Sequence, residues 1–258
     1  MLSPDFAFSP LILGVLFVLL LAVLVVNAMT KDRREFRRFT RMRSSYNRRR
    51  MMQKWLFQSF ALFGIMSFVT LLFAWQYIPL VLDRVNSYGF VRDFRTFFND
   101  TAPASILILI AVIAVVIIGS VLGIIAARNE TALVSVGNVQ ALLPRNKKEL
   151  PYGAALSINA GLVEELLFRL ALPAVIFGVT GNGAIAIIAS ILIFGLLHAY
   201  QGIVGVLGSV LVGVLFMAIY IASENIFVAI LAHALFDLRS LVLIPIIVKR
   251  AHRKKARS

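Results

Sequence analysis

Glu164, Glu165, Arg169, His198, His233 and Asp237 are ionisable residues set in stretches that are otherwise apolar. A charge near the centre of a membrane helix costs about 2.5 to 3.5 kcal/mol unless it pairs or lines a wet cavity, so such residues mark a site. On a helix Glu165 and Arg169 are four apart and share a face, while Glu164 points about 100° away. Arg169 can therefore clamp Glu165 and leave Glu164 free, which gives one supporting and one working carboxylate. His198 stands four residues after Phe194, and His233 four before Asp237, again on shared faces. Taking Arg239 as an interior charge, the three carboxylates against Arg169 and Arg239 leave one negative charge unbalanced if both histidines are neutral. A low-dielectric site resists that imbalance by holding a mobile proton, shared here between Glu164 and a histidine, as general acid/base chemistry requires.

The elements that must hold these groups are apolar helices. The chain has 258 residues, 60% of them hydrophobic, and several apolar runs long enough to cross about 30 Å of hydrocarbon. These runs are apolar on every side rather than alternating, which excludes a transmembrane barrel. The fold class is all-α, a polytopic helical membrane bundle. Spans fall at about Phe6 to Met29, Trp55 to Leu82, Ala104 to Ala127, Tyr152 to Phe177, Ala184 to Tyr200, Ile203 to Ala222 and Ile226 to Val248. An odd count puts the N-terminus outside and both strongly basic segments, Lys31 to Lys54 and the tail from Lys249, on the cytoplasmic side. The net charge of +14 therefore reports topology, not nucleic-acid binding. The third histidine, His252, lies in that tail as a solvated bystander. With no cysteine, disulfides and thiol chemistry are excluded.

Residues 1–127 read as packing and topology helices with a basic loop, 128–150 as a connector, 151–248 as the chemical core and 249–258 as a basic tail. The first span lacks a basic leader and ends in an Arg-rich stop, so it reads as an uncleaved anchor. The basic loop, with Phe36, Phe39, Tyr46 and Trp55, reads as a partly helical interfacial segment that binds anionic lipid. Gly202, Gly205, Gly208 and Gly213 read as close-packing positions of the sixth span.

In order along the chain, EELLFR (Glu164 to Arg169), FGLLH (Phe194 to His198) and HALFD (His233 to Asp237) resemble the three motifs of the CPBP, or Abi, family of CAAX-processing and bacteriocin-processing membrane proteases. The resemblance covers about residues 150 to 240. It implies a glutamate-dependent intramembrane endopeptidase with no obligatory cofactor, acting on membrane peptides or lipidated proteins. By position, Glu164 would be the general base and His198 would help to position and activate water. Glu165 and Arg169 would brace the site, His233 with Asp237 would correspond to the oxyanion pair, and Phe194 would lie along the substrate. Many family members carry Asn where this chain has Asp237, and an ionised Asp only accepts hydrogen bonds. Asp237 would then orient His233 and leave that ring as the donor.

Other readings use the same residues. Glu164, His198 and His233 could ligate a catalytic zinc, although no HExxH motif is present. A non-catalytic immunity or scaffold protein, or a proton-coupled transporter, would also carry intramembrane Glu and His. The compact chain and Arg-rich loop point to a prokaryotic plasma membrane.

Overall fold

Backbone polar groups in so apolar a chain must bond within their own segment, and in the computed structural model the elements are helices throughout. The structure describes residues 2–101, positions 106, 107, 110, 111 and 114, and residues 142–247; among these there is no strand. Most of the third span, much of the connector and the basic tail with His252 lie outside the described residues.

Helix α1 (Ser9–Val26) continues through a π segment, Asn27–Asp32, into α2 (Arg33–Arg41), so one unbroken helix covers Ser9–Arg41. At 1.5 Å per residue it is about 50 Å long, more than an apolar bilayer core needs, and its basic end must project from the apolar zone. A short extended turn at Met42 leads to α3 (Ser45–Ala74), whose N-terminus is capped by Ser44 Oγ accepting from the Asn47 N–H at 3.5 Å. The basic loop is thus helical on both sides of a tight turn. The second apolar run also differs from expectation. It breaks at Trp75 and Gln76, and α4 (Tyr77–Asn86) and α5 (Gly89–Thr101) follow as separate helices.

The C-terminal core begins with α6 (Leu150–Glu165), which passes through a π turn, Leu166–Ala171, into α7 (Leu172–Thr180). Gly181, at φ 63°, ends α7 in the left-handed conformation that favours glycine. Asn182 then caps α8 (Gly183–Leu196) by accepting from the Ile185 N–H at 3.1 Å. After a turn, α9 (Ile203–Ser223) and α10 (Ile226–Leu238) form a second hairpin, and α10 continues through a π segment, Arg239–Leu243, as a helix to Ile247.

Helices Ser9–Arg41, Ser45–Ala74, Ile203–Ser223 and Ile226–Ile247 are long and apolar enough to cross a membrane, and Gly183–Leu196 is a shorter apolar helix. Together they make this an integral membrane protein. Helix α6 packs along α10 and α3, α7 sits between α1 and α8, and α9 joins α8 to α10. The close contact of α6 with α10 depends on Gly161. A Cβ there would stand 2.8 Å from the Ala234 amide nitrogen and 2.9 Å from the Ile230 carbonyl oxygen. Of the glycines expected to pack, Gly213 does so against Phe194, at 3.1 Å from a Cβ built at that position. Gly202 instead supplies a left-handed turn at φ 85° with open space around it.

Candidate active site

The site is built around a widened turn. Pro173 has no N–H to offer the Arg169 carbonyl, and its ring crowds the preceding turn, so the π segment Leu166–Ala171 just upstream has a local cause. Pro245 stands two residues beyond the π segment of the α10 extension in the same way. Across the helix interface, the Ser190 hydroxyl donates to the Phe168 carbonyl at 2.6 Å and gives the widened turn a partner in α8. These contacts fix where α6 delivers Glu164 and Glu165 and where the turn delivers Arg169.

Glu165 is fully buried, with a hydrogen bond on one side and an ion pair on the other. Its Oε1 accepts from His233 Nδ1–H at 2.7 Å, and its Oε2 lies 3.0 Å from Arg169 Nε. The Glu165 to His233 bond links α6 to α10, and it is close enough to form because Gly161, one turn earlier, lets the two backbones approach. Arg169 is 2% exposed, and its guanidinium carbon lies 4.9 Å from the Phe194 ring centroid and 5.7 Å from that of Phe216. Such faces attract a buried cation. None of the three guanidinium nitrogens makes a hydrogen bond to a described residue, so the contact with Glu165 is an ion pair without hydrogen-bond geometry. His233 stacks on Phe216, with ring centroids 4.6 Å apart, and its Nε2 lies 3.7 Å from Asp237 Oδ2. With Nδ1–H committed to Glu165, a proton on Nε2 would be the one available to a ligand.

His198 lies beyond α8, in the turn that precedes the 3-10 segment Ala199–Gln201, and not within a helix as its motif suggests. Its Nδ1 is 2.9 Å from the Phe194 carbonyl oxygen. A carbonyl can only accept, so Nδ1 carries the hydrogen and Nε2 is left with a lone pair in the neutral ring. Glu164 is half-buried and makes no hydrogen bond to a described residue, while the charges of His233, Asp237, Glu165 and Arg169 all act on it.

Arg169, His198 and His233 therefore gather around the Phe194 ring, which is 5.0 Å from the His198 ring and 6.4 Å from that of His233. Phe194 itself is 3% exposed and packs edge-on to Phe168, 5.1 Å away, so its contacts are with the site's own side chains. Arg239, counted with the interior charges, forms no ion pair with a described residue, which leaves Arg169 as the cation beside the carboxylates. Among the described residues, no three His, Asp or Glu side chains converge as a metal ion requires.

Sequence reasoning missed Phe216, Gly161 and Tyr200. Nothing in the apolar run around Phe216 distinguishes it, whereas Gly161 and Tyr200 flank motifs closely enough to have been noticed. Tyr200 rings His198 at 6.0 Å, accepts from Gln201 Nε2 at 2.9 Å, and is within electrostatic reach of Glu164 and Asp237.

Residues 146–239 match the family model described as Rce1-like, type II CAAX prenyl endopeptidase Rce1-like. No curated protein and no solved structure matches the chain. The matched segment begins ahead of α6, takes in all three motifs and stops just past Asp237, and over that segment the chain is similar to the CAAX-protease family.

Proposed function

We propose that the protein is an intramembrane endopeptidase that hydrolyses peptide bonds of membrane-associated or lipidated peptides, with water activated by Glu164 and His198. The observation that carries this reading is the division of labour between adjacent carboxylates. Glu165 is engaged by His233 and Arg169, and Glu164 is left without a hydrogen bond to a described residue. Glu164 takes a proton from water as the oxygen attacks the scissile carbonyl carbon, and the carbonyl π electrons move onto oxygen. A hydrogen on His233 Nε2, backed by Asp237, meets that oxyanion. As the C–N bond breaks, Glu164 returns the proton to the leaving amine and the carbonyl re-forms. His198 Nε2 orients the water with its lone pair, while Arg169 and Phe194 hold Glu165 and both imidazoles in place.

The same reading carries a seven-span topology with the N-terminus outside, the basic segments inside, and a prokaryotic plasma membrane as the setting. It is tested by comparing wild type with Glu164→Ala and His198→Ala at matched membrane abundance. Cleavage of membrane-anchored peptides, with and without a prenylated C-terminal segment, is followed in detergent with excess chelator. Wild type should cleave and both variants should lose activity, by about 10²- to 10⁴-fold for the general base. Cleavage that survives Glu164→Ala removes the assigned base, and wild-type activity abolished by chelator moves the chemistry to a metal.

A further inference from the structure

We propose that the arginine face of α2 is a docking site for the phosphate headgroup of an anionic lipid, and that its occupancy is felt at the His198 turn; the second half rests on the function proposed above. On the α2 helical wheel Arg33, Arg34, Arg37, Arg38 and Arg41 fall within an arc of about 140°, while Glu35, Phe36 and Phe39 occupy the opposite side. The arginines are exposed, form no ion pair with a described residue, and line a shallow cleft of ≈ 650 Å³. Met29 and Thr30 complete the cleft. Met29 is 67% exposed and continues a lipid-facing apolar surface through Val26, at 60%. A ligand matching both halves has a negative phosphate for the guanidinium forks and an acyl chain for α1, which favours a membrane lipid over a soluble acidic peptide.

The buried side of the same helix leads to the site. Both Glu35 oxygens are bonded from α3, by Lys54 Nζ and by Trp55 Nε1, each at 2.7 Å, which pins α2 in place. The Phe36 ring packs at 5.3 Å on Tyr200, and Tyr200 at 6.0 Å on His198. A headgroup held by the arginines therefore bears on the helix whose other face supports the turn carrying His198.

Trp55 gives a readout that needs no proteolysis, because it bonds Glu35 and packs at 4.6 Å on Phe39. In a Trp75→Phe background Trp55 is the remaining tryptophan. The protein is placed in phosphatidylcholine nanodiscs and titrated with dioctanoyl phosphatidylglycerol, dioctanoyl phosphatidylcholine, inorganic phosphate or an acidic peptide. Phosphatidylglycerol alone should give a saturable Trp55 change, weakened about fivefold for each arginine removed in Arg33→Gln with Arg37→Gln. The same charge loss at Arg43→Gln with Arg50→Gln, outside the cleft, should leave the titration unchanged. Equal weakening by both pairs, saturation by phosphate or peptide in place of lipid, or no saturable response each overturns the site. In bilayers, phosphatidylglycerol should raise turnover, and Phe36→Leu should remove that rise while keeping the Trp55 titration; turnover indifferent to lipid overturns the coupling. A protein that binds lipid at Trp55 yet cleaves no peptide keeps the lipid site and counts against the protease reading alone.

Discussion

Arg48 with Glu149 and Arg169 with Glu165 are both buried ion pairs, yet they are finished differently. Arg48 donates through Nε to Glu149 at 3.1 Å and through Nη2 to the Leu143 carbonyl at 3.0 Å, and its guanidinium carbon lies 4.0 Å from the Phe39 ring centroid. Glu149 also accepts from the Arg145 N–H at 2.9 Å and from Asn146 Nδ2 at 3.0 Å. That knot ties the α2 and α3 turn to the segment that enters α6. Around Arg169 the charges are compensated, but all three guanidinium nitrogens lack hydrogen bonds to described residues. Under the proposed function the Arg48 pair holds the fold together, and the Arg169 pair holds Glu165 at the site.

Substitutions can break that contrast in order of effect. Glu164→Gln should lower turnover by about 10²- to 10⁴-fold, because it removes the proposed general base, while the unfolding midpoint in detergent stays near wild type. Arg48→Met should do the reverse. It strands a buried carboxylate and costs about 3 to 5 kcal/mol, seen as a lowered thermal midpoint, with turnover per folded molecule kept. Gly161→Ala forces α6 away from Ala234 and should cost about 1 to 3 kcal/mol by overpacking, with some loss of turnover as Glu165 is drawn off His233. The smallest effect is on pH dependence. Burial alone would raise the Glu149 carboxyl, but the Arg145 N–H, the Ser45 hydroxyl and Arg48 hold it below the ordinary glutamate value of 4.5. A depressed folded value means that its contribution is complete above 4.5 and fades as pH falls through the lowered value. The midpoint should therefore drop below pH 4.5, and Glu149→Gln should lack that part of the drop.

What the sequence made legible follows the range of the interactions. The i, i+4 pairing of Glu165 with Arg169 is local, and so is the placing of Phe194 beside His198. The His233 bond to Glu165 spans 68 positions, and no spacing rule reaches that far. Apolar runs located the helices but not their breaks. The second run stops at Trp75 with no glycine to announce it, and His198 falls in a turn because α8 ends at Leu196. Pro173 and Pro245 were visible signals for the π segments just upstream of them. The hardest feature to read was Arg48, one of many arginines in a basic loop. Counted there as a topology signal, it is fully buried against Glu149, because burial depends on a partner 101 residues away.

Under the proposed function the adjacent glutamates have separate duties, and turnover and the unfolding midpoint measured together on Glu164→Gln and Glu165→Gln tell them apart. Glu164→Gln should lose turnover at an unchanged midpoint, whereas Glu165→Gln, which strands Arg169 and His233, should lose both. Glu164→Gln retaining turnover, or losing it only in step with stability, would mean that Glu164 is not the base.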